Sequence, residues 1–369
     1  MTIKPRYAII ISHKSLKKGR ITMERKVRFA VIGTAGIGGS HIKGIRLVER
    51  AVLTAVCDID PKEAKRCAEA NGIDRYYTDY RDMLRDGGFD CIIIATPDQC
   101  HLMQAVDSIK AGYHVLCEKP LAMTMDECRT IVDAARRSDR LFTVGQVCRK
   151  TPGFMLAKEL CDKGEIGELF FVESEYAHDY SIVERGEWRK DPVRLRYPVV
   201  GGGCHAMDLL RWIAGDPYEV FAYSNHKVLT DWPVDDCTIA ILKYPNNVIG
   251  KVLTSIGCRR PYTMRTVIYG TEGTIITDNT SPEIILYKPS FDEKRGKHTF
   301  SETRLPVNVN NHNVAGEIEE MVEAILGERD VETDAIEGAN TVAVCLAAVR
   351  SAEEGRPIAP EYIVRGDGK

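Results

Sequence analysis

The sequence predicts an α/β protein. A doubly wound parallel sheet comes first, followed by an α/β domain with a large, mostly antiparallel open sheet. Three observations carry this expectation. Short apolar, β-branched runs alternate with helical periodicity from about residue 27 to 144. A glycine-rich turn, Gly33-Thr-Ala-Gly-Ile-Gly38, lies between the first such run and the first helix. Beyond about residue 150, strand-like runs follow one another with only turn residues between them.

Val27 to Ile32 is the first apolar strand, and a helix follows Gly38 to about Arg50. Leu53 to Cys57 is the second strand, and Pro61 opens the next helix, where its missing N–H costs nothing. Cys91 to Ala95 has the continuous apolar character of a strand buried on both faces. A helix from about Gln99 to Ala111 stops at Gly112, and His114 to Cys117 is the next strand. A helix at about 125–137 and a strand at 141–144 complete the unit. The second half opens with a helix at 153–163 and an alternating stretch, Phe170-Phe171-Val172-Glu173. Strands are expected at 238–244, 248–255, 264–269 and 273–277, with turns such as Pro245-Asn246-Asn247 between them. Val314, Ile318, Met321, Val322 and Ile325 repeat at helical spacing, and Asp334 with Glu337 caps a last helix that ends at Gly355.

The 369 residues suffice for about two domains. The expected division is 1–24 as a mobile N-terminal extension, 25–148 as a nucleotide-binding domain, and 149–369 as a substrate-binding and oligomerisation domain. Hydrophobic content of 44%, charged content of 28% and net charge −3 describe an ordinary globular chain with no general pull toward nucleic acid or anionic membranes. No apolar run approaches the roughly 20 residues of a membrane helix. The twelve cysteines form no C-x-x-C pair and no zinc spacing. They read as small core residues in a reducing cytoplasm, with no metal site expected.

Gly33 and Gly38 fit the first and third glycines of a dinucleotide-binding turn, with Ala35 at the second position and Gly36 and Ile37 completing it. The helix beyond would aim its N–H groups at a pyrophosphate. Asp58 stands at the end of the second strand, 20 residues after Gly38, where a carboxylate accepts from ribose hydroxyls and repels a 2′-phosphate. The expected cofactor is therefore NAD, although Lys62 and Arg66 nearby weaken the exclusion of NADP. Lys119 follows a buried strand at its carboxyl end, where open α/β sheets place ligands, and an ammonium there stabilises a developing alkoxide. His205 follows three glycines and opens a helix; its imidazole suits proton abstraction from an alcohol.

In combination these residues resemble a known family. Gly33-x-Ala-x-x-Gly38 with His41, Ala95-Thr96-Pro97 with His101, Glu118-Lys119-Pro120, Gly203-x-His205-x-x-Asp208-Leu-x-Arg-Trp212 and Gly270-Thr-x-Gly273 are similar to the glucose–fructose oxidoreductase/inositol dehydrogenase (Gfo/Idh/MocA) family, over about residues 26–356. The resemblance implies a Rossmann domain, a second domain that often packs against another subunit, and hydride exchange between nicotinamide and a sugar or cyclitol carbon. It implies a cofactor site that also includes Thr96, Pro97, His101, Glu118 and Lys119. Lys119 and His205 correspond to the family's catalytic pair, and the Lys119–Pro120 bond is expected to be cis. One member of the pattern is missing: Gly201 stands where D-x-x-x-H carries aspartate. Tyr176-Ala-His178-Asp179-Tyr180 is the nearest polar cluster to replace it. Asp208, one helical turn on, is expected to orient His205 or to cap locally. Substrate contacts are expected from Lys119, Arg149, His178, Asp179, Arg189 and His205.

The leading expectation is an NAD-dependent dehydrogenase of a secondary hydroxyl on a sugar, glycoside or cyclitol, with a lean toward a glucoside ring carbon such as C3. A glycosidase or lyase that uses NAD transiently, and a non-catalytic sugar or NAD sensor, are the alternatives. The chain is expected to form a dimer or tetramer, because its helices are too few to cover both faces of the second sheet.

Overall fold

A computed structural model of the chain describes residues 25–182, 190–191 and 196–365. The N-terminal extension read at 1–24, and Arg189, lie outside the described residues. The first sheet has six parallel strands: β1 (Val27–Ile32), β2 (Ala51–Cys57), β3 (Tyr76–Tyr77), β4 (Cys91–Ile94), β5 (His114–Cys117) and β6 (Phe142–Val144). Their order is β3-β2-β1-β4-β5-β6. The order reverses between β1 and β4, and that switch point opens a crevice at the strands' carboxyl ends. Helices α1 (Ile37–Leu47), α2 (Pro61–Asn71), α3 (Tyr80–Asp86), α4 (His101–Lys110) and α5 (Met125–Arg136) connect the strands. The termini follow local chemistry. Asp60 caps α2 through the Lys62 N–H with Pro61 in the first turn, and Thr124 and Glu127 form a reciprocal capping box on α5.

The second sheet has eight strands: β7 (Leu169–Ala177), β8 (Glu219–Asn225), β9 (Cys237–Lys243), β10 (Ile249–Ser255), β11 (Arg265–Gly270), β12 (Gly273–Asp278), β13 (Glu283–Asp292) and β14 (Lys297–Pro306). Their order is β14-β13-β12-β11-β7-β10-β9-β8, and all neighbours are antiparallel except β7 and β10. The remaining helices are α6 (Pro152–Asp162), α7 (Pro198–Gly201), α8 (Cys204–Ala214), α9 (Val314–Ile325) and α10 (Ala335–Glu354). Helices α6, α8 and α10 lie on one face of this sheet. The opposite face carries Tyr223, Ile239, Ile241 and Ile249 at 67%, 39%, 42% and 46% exposure. Val267, on the same face, is buried.

Helix α10 serves both sheets. Its first turns place Ala335, Ala339, Val342 and Ala343 in the core around β5, β6 and α5, while its later turns pack on β8 and α8. Asp334 caps it, accepting from the Ile336 and Glu337 N–H groups. Among the described residues no helix is long and apolar enough to cross a membrane.

Candidate active site

The glycine turn is shaped for close backbone approach. A β-carbon on Gly38 would lie 1.8 Å from the Gly33 carbonyl oxygen, and one on Gly33 would lie 2.8 Å from that of Ala95. Gly33 and Gly36 have φ of 84° and 53°, which favours glycine. Nothing stands within 4 Å of a β-carbon position on Gly36, so that side of the turn is open. Helix α1 begins with no side-chain cap, leaving its first N–H groups for an anion. Asp58 is oriented by Thr34, whose N–H and hydroxyl donate to its Oδ2 at 2.9 and 2.8 Å; Oδ1 accepts the exposed Asp60 N–H at 3.1 Å. The open turn, uncapped helix and fixed carboxylate fit a dinucleotide.

Two residues expected at the cofactor are turned inward. His101 is buried, and its two ring nitrogens meet the Pro120 and Thr96 carbonyl oxygens at 2.9 and 3.0 Å. Burial opposes its charge, but Cys117, Asp98 and the Pro120 carbonyl raise its pKa to about 10, so both nitrogens donate. His101 thus braces the loop after β4 against the loop after β5. Glu118 accepts from His41 at 2.8 Å and from the Lys119 N–H at 3.1 Å. Burial opposes its ionisation, yet His41 and Lys119 hold its carboxyl below the usual range. Beneath it, both oxygens of Glu317 are buried without a partner among the described residues, and burial, then the Glu118 charge, raise that carboxyl well above its ordinary pKa. Thr96 donates to Gln104 at 2.6 Å.

The Lys119–Pro120 bond is cis, as the resemblance implies. Lys119 Nζ donates to the Gly201 carbonyl at 3.2 Å, which brings the β5 loop against the turn before α8. Arg196, which the sequence reading missed, donates to the same carbonyl at 3.2 Å and to Asp98 at 2.5 Å. A β-carbon on Gly201 would lie 2.2 Å from the Arg196 guanidinium. The space of the missing aspartate is therefore filled by a cation. Gly202 and Gly203 make room in the same way: β-carbons there would strike the Tyr176 ring and the Thr254 hydroxyl at 2.4 and 2.2 Å. The three glycines serve close packing of protein side chains.

His205 sits in the first turn of α8, 2% exposed, and its Nδ1 has no partner among the described residues. Burial lowers its pKa well below the ordinary imidazole range, and Lys119, His312 and Arg196 lower it further. It is neutral and can accept a proton. Its ring faces those of Tyr176 and His312 at 6.4 and 5.5 Å between centroids. Tyr262 packs on His178 at 4.7 Å, and its hydroxyl lies 3.2 Å from His312 Nε2. His312 is open to solvent, yet the protein around it and the Lys119 charge push it down to about 4. Tyr262 and His312 belong to long loops without local periodicity, so no sequence signal marks them.

Three expectations are corrected. Asp208 neither orients His205 nor caps: it takes Arg149 through two hydrogen bonds of 2.8 and 2.7 Å and accepts from Thr341 at 2.9 Å. Arg149, expected at the substrate, is 3% exposed and divided between Asp208 and Glu337. Removing either partner of such a pair leaves an uncompensated buried charge. Asp179 is likewise held by Ser181 and Arg259, the latter at 3.2 Å, and does not take the place of the absent aspartate.

A dinucleotide turn beside a lysine and a buried histidine, between a Rossmann sheet and an open, mostly antiparallel sheet, marks an NAD-dependent oxidoreductase. Residues 27–146 match the model of the oxidoreductase family with an NAD-binding Rossmann fold (GFO_IDH_MocA), and residues 154–276 match the GFO/IDH/MocA C-terminal domain. The matches cover more than half of the chain, which belongs to this family. An uncharacterized oxidoreductase of Bacillus subtilis, YrbE, is 25% identical over 92% of this chain and 98% of its own length. Myo-inositol 2-dehydrogenase of Thermotoga maritima is 23% identical over 74% of this chain and 82% of its own. A levoglucosan dehydrogenase solved with NADH and L-sorbose superposes with TM-score 0.84 at 22% identity, covering 92% of this chain and all of that one.

Proposed function

We propose that this enzyme oxidises a secondary hydroxyl of a sugar, glycoside or cyclitol, with Lys119 and His205 as its acid–base pair. The supporting observation is the convergence of Lys119 and the neutral His205 beside the Gly201 carbonyl, at the carboxyl end of β5. Lys119 Nζ is anchored by that carbonyl and points its remaining N–H groups at the substrate oxygen, stabilising the negative charge that develops there. His205 accepts the hydroxyl proton. Bound NAD supplies the hydride acceptor at nicotinamide C4. Tyr176, His178 and Tyr262 form an aromatic wall suited to the apolar face of a pyranose or cyclitol. A glycoside oxidised at a ring carbon such as C3 is the favoured case, in keeping with the levoglucosan and inositol dehydrogenases among the similar proteins.

The test is NADH formation at 340 nm across sugars, inositols and glycosides. Lys119→Ala and His205→Ala should each lose roughly 10²–10⁴ in turnover while still binding NAD. Near-normal turnover in either variant removes that residue from the mechanism. Release of an aglycone with no net NADH would instead assign a glycosidase or lyase with transient oxidation.

Residues 25–148 serve the cofactor in this reading, and 149–369 the substrate and the assembly. The uncovered face of the second sheet supports a homo-oligomer. Its apolar side chains are interleaved with ion pairs such as Lys251–Glu173 and Arg265–Glu173, the mixture of an interface that closes on a copy of itself.

A further inference from the structure

We propose that Cys148, His205 and His312 form a binding site for one zinc-class divalent cation. One ligand atom from each residue lies within 4.8 Å of the other two. Around a zinc ion at about 2.0–2.3 Å from each ligand, such atoms stand roughly 3.3–3.8 Å apart. The trio is thus open by about 1.5 Å at most, which side-chain rotations close. Residue type points to the ion: one thiol, which releases its proton to solvent as the metal binds, and two neutral imidazoles are borderline-soft donors that select zinc over magnesium or calcium. Three protein ligands leave the fourth position for a water or a ligand oxygen.

Two further observations point to a ligand at this place. The Nδ1 atom of His205 is fully buried and has no partner among the described residues, in a side chain that is 2% exposed. A buried imidazole nitrogen normally has one. The Tyr262 hydroxyl lies 3.2 Å from His312 Nε2, a contact that would orient the ring with Nδ1 as the metal ligand, as metal-bound histidines usually are. The Cys148 sulfur meets the sulfur of buried Met264 at 3.6 Å, a soft and weak contact that a cation readily replaces. A bound cation shares this space with Lys119 and Arg196, whose charges are met in part by Glu118 and Asp98. The ligands are far apart in sequence, at 148, 205 and 312, so no spacing motif reveals them.

The site goes beyond the reading above while sharing His205 with it. An imidazole bound to a metal through one nitrogen keeps its proton on the other and cannot accept a second. The loaded enzyme therefore lacks its proton acceptor, and zinc acts as a reversible inhibitor of the same centre.

The test uses the full-length protein, stripped with a chelator and titrated with cobalt(II). A near-ultraviolet thiolate-to-cobalt charge-transfer band should appear, saturate at one cobalt per chain and vanish on adding zinc. Cys148→Ala should remove the band. His312→Gln should weaken binding by at least about tenfold, no less than the loss of a supporting residue costs. NAD binding by each variant checks that it is folded, and either variant alone decides the matter if the other does not fold. No band in the wild type, or an unchanged band in Cys148→Ala, overturns the proposal. Stripped enzyme that forms NADH but binds no cobalt overturns this inference and leaves the dehydrogenase reading standing. Enzyme that binds cobalt but oxidises no carbohydrate does the reverse.

Discussion

Gly201 shows how one side chain is traded for another. The Arg196 guanidinium occupies the space that an aspartate at 201 needs, and the Gly201 carbonyl becomes the anchor for Lys119. The centre thus gains a cation where the family pattern has an anion, and this helps to keep His205 neutral. The consequence is legible in pH dependence. A base whose pKa is depressed keeps its acceptor form to lower pH, and activity is lost only as pH falls through that lowered value. The acid limb of kcat/KM should therefore lie below pH 6.5, the ordinary imidazole value; a limb above it would show that His205 is not the group titrating. Asp58 makes the second prediction at this scale. Asp58→Ala removes a charge-assisted acceptor from the ribose, so NAD affinity should drop roughly ten- to a hundredfold. The preference for NAD over NADP should narrow, and binding isotherms for both cofactors measure it. Lys119, His205, Asp58 and the glycines stand out in the sequence because each follows a strand or opens a helix in a short motif. The partners of Arg149, Asp179 and His101 were not legible, because a sequence does not show which carboxylate, hydroxyl or carbonyl will take a polar group.

Among the elements, those with strong periodicity or a distinct cap were found within a few residues. Helices α2 and α10 have Asp60 and Asp334 as caps, and α9 has its apolar stripe. The elements that escaped are β3, α3, α7, β8, β13 and β14. Strand β3 pairs through only two residues, and α3 buries only Met83 and Leu84. Strand β14 is exposed or half-exposed throughout, so no apolar alternation marks it and its place is set by pairing with β13. The glycine turn gives the prediction at this scale. A β-carbon on Gly38 would meet a backbone oxygen, which no side-chain rotation relieves. Gly38→Ala should destabilise the protein by about 3 kcal/mol or more and abolish NAD binding, read by denaturant unfolding and a binding titration. A variant that binds NAD normally would mean that the turn adapts.

In the whole molecule, the two sheets differ in how completely they are covered. Helices flank the first on both sides, and the second leaves Tyr223, Ile239, Ile241 and Ile249 exposed. Light scattering should give a dimer or tetramer, and Ile241→Lys should shift the mass toward the 41.2 kDa monomer without loss of fold. A wild type that is monomeric at micromolar concentration would show that this face stays open to water. The double duty of α10 has a consequence for synthesis. The first sheet is translated early, yet Ala335, Ala339, Val342 and Ala343 are part of its core, and Thr333 bonds to the backbone and side chains of β6. After β6 leaves the ribosome, nearly 200 residues must follow before that core can close, about 10–40 s at ordinary elongation rates. Throughout that interval the nascent chain presents unfinished apolar surface, so the period of greatest exposure to chaperones and proteases comes before the stop codon is reached.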